Sequence, residues 1–289
     1  EYLLGAAKDF NMPSEIGSVR LDDKVSIEAA EGTAADEKFS AAQMKFGINM
    51  LNQLNSDPMQ KKDNMLISPF SAAAALTMTA NGADGETLKE MEKVLGDDLT
   101  LDELNNYMAW YLSNLPNTSK EKMQVADSIW FKNKESFKVY DSFLEANKKF
   151  FNAEIYKTPF DKETVKDVNS WVNLKTSGMI TKLLSDDAFD KKGEIEPLMC
   201  LVNTVFFDAE WASKYEKSYT TTFTNDKGNE KEIEGLYSGS NNYYELDNAI
   251  AFKKSYAGKY KFVGILPDAD LTLDEYINSI DPAKLSGQL

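Results

Sequence analysis

The sequence predicts an α+β fold in which helices and antiparallel sheets occupy separate layers. Three observations carry that expectation. From Asn64 to Gly96 the chain reads NMLISPFSAAAALTMTANGADGETLKEMEKVLG, a short apolar strand, a Ser-Pro corner, a small-residue helix, a glycine break and a more polar helix. Leu198–Phe207 is an unbroken strand-like run of Val, Leu and Phe holding a single Asn. After it come strand-like segments in succession, from Thr220 to Leu266. Helices and isolated strands first, then an antiparallel run, argue against alternating βαβ units.

Taken in order, Phe39–Leu54 carries Phe39, Met44, Phe46, Ile48, Leu51 and Leu54 on one side of a helix. Asn64–Ser68 reads as a buried strand. Ser68 is a natural N-cap for the helix Phe70–Asn81, and Pro69 sits in the first turn, where its missing N–H costs nothing. That helix is nearly all Ala, Thr, Met and Leu, so it should be buried all round and let a sheet come close. Asn81-Gly82 ends it, and Thr87–Leu95 is amphipathic. Thr100 and Glu103 form a capping-box pattern ahead of Leu101–Leu115. Val125–Asn133 reads as a strand buried on both faces, and Phe137–Phe151 returns to helix spacing through Tyr140, Phe143, Leu144 and Phe151. Thr220–Phe223 and Lys231–Leu236 flank Asn225-Asp226-Lys227-Gly228 as a hairpin. Tyr243–Leu246, Ile250–Tyr256 and Tyr260–Leu266 follow as further strands.

Composition excludes several function classes. The 289 residues carry 47 acidic and 32 basic groups, a net charge of −15, which disfavours nucleic acid and anionic membranes as partners. No run approaches the roughly 18 uninterrupted apolar residues of a membrane span. Arg20 is the only arginine, which leaves little for a bidentate phosphate clamp. There is no histidine and one cysteine, Cys200, in an apolar run where a buried structural thiol is expected. Ser-His-Asp and Cys-His catalysis and the usual zinc sites are therefore out of reach, and no glycine-rich phosphate loop is present. No metal, cofactor or enzymatic activity is expected. The acidic pairs Asp97-Asp98 and Asp186-Asp187 read as solvated loop residues, not as a hydrolase's carboxylate pair. Residues 1–35 mix Gly, Ala, Ser, Asp and Glu and read as a partly mobile extension ahead of a single domain over 36–289.

The Ser68-Pro69-Phe70-Ser71 corner with the helix that follows resembles the N-terminal strand-and-helix signature of the serpin family. Other segments match that family in order: Phe39–Leu54 its first helix, VADSIWFKN (Val125–Asn133) a central-sheet strand, and Asn169–Leu184 the end of its sheet-covering helix. LMCLVNTVFFDAEW (Leu198–Trp211) matches the long strand that reaches the upper end of the sheet, and KFVGILPD (Lys261–Asp268) a strand with a Leu-Pro turn. The resemblance implies a large central sheet A with smaller sheets B and C, mostly antiparallel, and helices clustered around them. No segment up to Leu289 resembles the family's small-residue hinge or reactive loop, so the domain reads as C-terminally incomplete.

The resemblance also implies a mechanical function. A serine protease, or a cysteine protease, cuts an exposed loop, and the loop inserts as an extra strand into the central sheet before the acyl-enzyme is hydrolysed. The alternative is a non-inhibitory protein of the same fold, a carrier, chaperone or storage protein. Ser68, Ser71 and Asn203 match the family's sheet-opening positions, Trp211 the upper sheet where insertion begins, and Gly178 the turn after the covering helix, with an expected positive φ. Ala209 departs from the glycine common in that upper turn. Read without the resemblance, Ser68 only caps its helix, Asn203 only ends a ladder and Trp211 is a core residue. A monomer of prokaryotic origin, secreted or at the cell surface, completes the expectation.

Overall fold

The computed structural model describes residues 16–22, 27–59, 64–190, 196–215, 217–225, 227–237 and 243–288. Most of the proposed extension, residues 1–15 and 23–26, lies outside them, as does Asp226 of the hairpin turn. The chain divides into two compact units, one formed by residues up to Leu115 with Met123–Phe207, the other by Pro116–Lys122 with Asp208–Leu289.

In the first unit, helix α1 (Glu37–Ser56), α2 (Pro69–Ala80), α3 (Gly85–Gly96) and α4 (Leu101–Ser113) come first. Asp36, Ser68 and Thr100 each cap a helix by accepting a backbone N–H, and Thr100 with Glu103 closes the expected capping box. Helix α2 is buried at Ala73, Ala74, Thr77, Met78 and Ala80, but Leu76 and Thr79 on its other side are exposed, so the burial expected of the whole helix holds on one face only. Its C-cap, Asn81, is tied to Asn105 of α4 by a reciprocal pair of amide hydrogen bonds at 2.8 and 3.1 Å.

The four-stranded sheet of this unit has the order β1 (Val19–Arg20), β3 (Glu154–Thr158), β2 (Glu121–Lys132), β4 (Met199–Ala209). Lys132 N–H reaches Leu198, Ser128 Oγ reaches Val202, Asp127 meets Asn203 and Thr204 Oγ1 reaches Ala126, so β2 and β4 run antiparallel. β2 and β3 pair in parallel, from Ser128 opposite Glu154 to Lys132 opposite Thr158. Parallel neighbours need a crossover, and α5 (Asp141–Phe151) supplies it. This single βαβ unit departs from the segregated layers expected, because β3 is too short to stand out in the sequence.

Side chains alternate across β2. Ile129 joins one core with Phe39, Phe46, Ala73, Met78, Leu104 and Phe143, whereas Trp130 faces the other way. Trp130 stacks on Tyr156 at 4.1 Å and packs with Val168, Trp171 and Val172 of α6 (Lys162–Lys175), the covering helix. Two further corrections follow. Asn64–Ser68 is extended but belongs to no ladder among the described residues, and Leu66 is 99% exposed, since an apolar strand is buried only where a neighbour pairs with it. The helix expected from Phe137 begins only at Asp141, and Tyr140, its N-cap, is exposed. The residues before it are taken up by a turn in which Phe137 N–H donates to Lys134 O.

The second unit holds the hairpin β5 (Lys217–Thr224) and β6 (Glu230–Tyr237), paired antiparallel from Lys217 opposite Tyr237 to Thr224 opposite Glu230. It also holds a three-stranded antiparallel meander, β7 (Tyr243–Leu246), β8 (Ala249–Ser255) and β9 (Lys261–Pro267), then α7 (Leu273–Ser279) and α8 (Pro282–Gln288). The hairpin and the meander fall where the sequence reading places strands.

Candidate functional site

Helix α2 starts beside β4, and the Ser-Pro corner decides which side chains meet there. Pro69 fixes the first turn, so Ser68 lies outside the helix and Ser71 one turn in. Ser71 Oγ donates to Asn203 Oδ1 on β4. Asn203 Nδ2 in turn donates to Asp127 Oδ1 on β2 at 2.7 Å. A continuous polar chain thus runs from helix α2 through β4 to β2 inside an apolar layer. Each amide group of Asn203 has a partner, which a buried amide on a Val/Leu/Phe strand needs.

The chain ends on a half-satisfied group. Asp127 is 3% exposed, and its Oδ2 has no hydrogen-bond partner among the described residues. Burial pushes its carboxyl up to about 7, and the Asn203 N–H pulls back only part of that shift. Asp127 therefore sits in the sheet as a neutral acid over much of the acidic to neutral range. Sequence reading missed it, although the signal was present: it is the one ionisable residue in VADSIWF, a run read as buried on both faces.

The structure brings Ser71 and Asn203 into contact as expected. Ser68 differs: its Oγ accepts the Ser71 N–H at 3.4 Å and its C=O accepts the Ala72 N–H at 3.1 Å, which is the geometry of a helix cap. Gly178 adopts φ +84, as expected, and its N–H closes the end of α6 on Asn173 O at 2.9 Å. Ser177 before it is also left-handed, with φ +51. Asn169 pins the segment beyond, accepting from Leu183 and Leu184 N–H at 2.7 and 2.8 Å and donating to Leu184 O at 3.0 Å.

Trp211 belongs to the second unit and is described there. It forms a β-bridge with Tyr256, and their rings stack at 4.4 Å with planes 15° apart. Tyr215 and Phe262 meet the indole edge-on, each at 5.9 Å, and Lys254 Nζ lies 5.4 Å from its centroid. Nearby, Glu121 Oε2 and Oε1 accept the N–H groups of Lys259 and Tyr260 at 2.7 and 3.0 Å. A Cβ on Gly258 would fall 1.9 Å from that carboxylate, so a side chain there would displace Glu121 from its two N–H donors.

A second ionic cluster lies at the β1 edge of the first unit. Arg20 grips Asp22 with two hydrogen bonds at 2.9 and 2.8 Å, Lys148 Nζ adds a third at 2.9 Å and the Ile155 N–H a fourth at 3.0 Å. Burial pushes the Asp22 carboxyl up, but Arg20, Ile155 and Lys148 together outweigh it and hold it well below the usual carboxylate range. Glu154 beside it accepts from Lys175 at 2.6 Å, Tyr156 at 2.6 Å and Trp171 at 2.9 Å. Gly17 and Ser18 reach Asp167 of α6. Nothing in residues 1–35 reads as a strand from composition or alternation.

Comparison with known proteins agrees with this geometry. The family model described as Serpin (serine protease inhibitor) matches residues 41–288. Human neuroserpin is 32% identical over 205 residues, which cover 68% of this chain and 48% of that protein. A leukocyte elastase inhibitor from Xenopus tropicalis is 26% identical over 242 residues, covering 80% of this chain and 62% of its own length. Among solved structures, the thermophilic serpin tengpin in its native state superposes with a TM-score of 0.83 at 42% identity, covering 92% of this chain and 67% of tengpin. Emu ovalbumin (Dromaius novaehollandiae), at 22% identity and a TM-score of 0.73, shares the fold. The chain spans about half the length of the neuroserpins it matches.

Proposed function

Because this chain belongs to the serpin family, we propose that it forms the body of a suicide-type inhibitor of serine proteases. A loop beyond these residues is cut by the protease, the acyl-enzyme forms, and the loop joins the sheet as an added strand. β4 is the terminal strand of its sheet among the described residues, so it offers the ladder edge that such a strand would need. Capture then depends on insertion outrunning hydrolysis of the acyl bond, and the native state must be held kinetically short of its most stable form.

The observation that carries this reading is the polar chain Ser71–Asn203–Asp127 across α2, β4 and β2. An apolar contact there would resist strand movement without an alternative. Small hydroxyl and amide groups can exchange partners as strands shift, which makes a latch. In this reading Ser71 and Asn203 hold the latch, Ser68 fixes the start of α2, Trp211 anchors the upper turn and Gly178 shapes the exit from the covering helix. Neither this latch nor any residue assigned to it involves a cofactor. Such an inhibitor would act outside the cell; no described helix is long and apolar enough to cross a membrane.

The test is incubation of the natural-length protein with trypsin-, chymotrypsin- and elastase-like proteases. An SDS-resistant adduct with a stoichiometric end-point supports trapping. Cleavage without any adduct, across all three, replaces it with a non-inhibitory carrier or storage role on the same fold.

A further inference from the structure

Asp127 is the group that the latch itself does not explain. Ser71 satisfies Asn203 Oδ1, and the Asn203 N–H needs only an acceptor, which a neutral Asn or Thr at position 127 would supply as well as a carboxyl does. Instead the strand buries an ionisable acid with one oxygen that meets no donor or acceptor among the described residues. Such a group is costly when charged and tolerable when protonated.

No neighbouring charge relieves it. Helix α2, which faces it through Ser71, has no ionisable side chain. β4 carries Cys200 and Asp208, β3 carries Glu154, Tyr156 and Lys157, and β2 itself carries Glu121, Lys122 and Lys132. Only burial and the Asn203 hydrogen bond act on Asp127 to a resolvable degree. Ile129, on the same face of β2, packs into the apolar cluster with α1, α4 and α5, and the covering helix α6 lies on the opposite face behind Trp130.

We propose that Asp127 makes the tether between helix α2 and the β2–β4 strand pair proton-dependent: the closed arrangement holds the neutral acid, and the ionised form favours movement of the strand pair that lets water reach Oδ2. This rests on the latch reading above. The direction is fixed by the chemistry. The closed state binds a proton that the opened state, with its carboxyl hydrated, gives up. Raising the pH from the acidic range through neutrality therefore loosens the tether, and lowering it tightens the tether. An inhibitor built this way is held more firmly shut in acidic surroundings and inserts its strand more readily in neutral or alkaline ones.

Two measurements on the natural-length protein decide it. Hydrogen-exchange protection of the β4 amides, corrected for the intrinsic pH dependence of exchange, should fall about tenfold or more between pH 5.5 and 8. In Asp127→Asn the same amides should keep constant protection over that range. A fall of equal size in the variant overturns the proposal. Carbon-13 labelling of aspartate then reads the carboxyl directly, and in the wild type its titration should share its midpoint with the loss of protection. A midpoint in the ordinary range near 4 overturns the proposal even if the variant fails to fold. Protease trapping separates the two ideas. Adducts formed by a protein with pH-independent protection would sink the proton-dependent tether and keep the inhibitor. A pH-dependent tether without adducts would do the reverse.

Discussion

Asp22, just beyond β1, and Asp127, on β2, are buried to the same extent, 3% exposed each, yet they obey opposite rules. Asp22, at the β1 edge, accepts hydrogen bonds from Arg20, Lys148 and the Ile155 backbone, so its charge is welcome. Asp127, between β2 and β4, has a single amide donor and a bare oxygen, so its charge is not. Burial alone settles neither case; the number and charge of donors does. The edge is built to stay put over a wide pH range. The centre, beside α2, keeps a group whose satisfaction is incomplete, and that is where the serpin reading requires strands to move.

The largest effect should come from breaking the satisfied side. Asp22→Ala removes the carboxylate that Arg20, Lys148 and the Ile155 N–H share and should cost about 3–5 kcal/mol in urea unfolding at pH 7. A loss under about 1 kcal/mol would show that the edge cluster is solvated and the contrast unfounded.

Removing the charge on the unsatisfied side should do the opposite. Asp127→Asn should stabilise the fold by about 4 kcal/mol at pH 8 and leave it nearly unchanged at pH 4. The two acids also set the shape of the wild-type pH profile. Asp127, raised in the folded state, withdraws stability as pH climbs from its unfolded value toward about 7. Asp22, lowered in the folded state, contributes stability above the ordinary carboxylate range and loses it as pH falls. Thermal midpoints measured from pH 3 to 9 should therefore peak in the mildly acidic range, and in Asp127→Asn the alkaline decline should flatten. An unchanged alkaline limb in the variant would assign that decline to other groups.

Two serines one turn apart refine the comparison at smaller scale. Ser71→Ala strips Asn203 Oδ1 of its donor inside the apolar layer and should cost about 1–2 kcal/mol, with faster loss of β4 amide protection. Ser68→Ala removes only a cap and should cost about 1 kcal/mol with β4 protection following global stability alone. If both variants changed β4 exchange in the same proportion to their stability, the tether would have no identity separate from the helix.

Much of this was legible in the chain. The Ser-Pro corner, the all-small α2, the capping box at Thr100 and the antiparallel run after Lys217 each depend on local rules, and each appears where those rules place it. The failures share a cause. Asn64–Ser68 has the apolar residues of a strand, but no sequence rule says whether a neighbour will pair with it. β1 and β3 are short and become strands only because they lie beside other strands, with the α5 crossover making one pair parallel. Asn203 and Ser71 were visible as polar groups in apolar settings, and Trp211 and Gly178 as matches to a motif. Asp127 was overlooked because its meaning depends on what fails to reach Oδ2.

The amino-acid sequence by itself determined the helices, the caps, the hairpin and meander, the absence of histidine chemistry and the membership in one family, because these follow from local propensity, hydrophobic period and residue type. The tertiary structure alone decided which buried polar groups are satisfied. Arg20 and Asp22 are neighbours in sequence, yet Lys148 and Ile155 complete their site from 126 and 133 residues away. Asp127 and Asn203 are separated by 76 residues and become partners only when β4 docks antiparallel on β2. Hydrogen-bond satisfaction is a property of three-dimensional proximity, and the electrostatics of both acids follow from it.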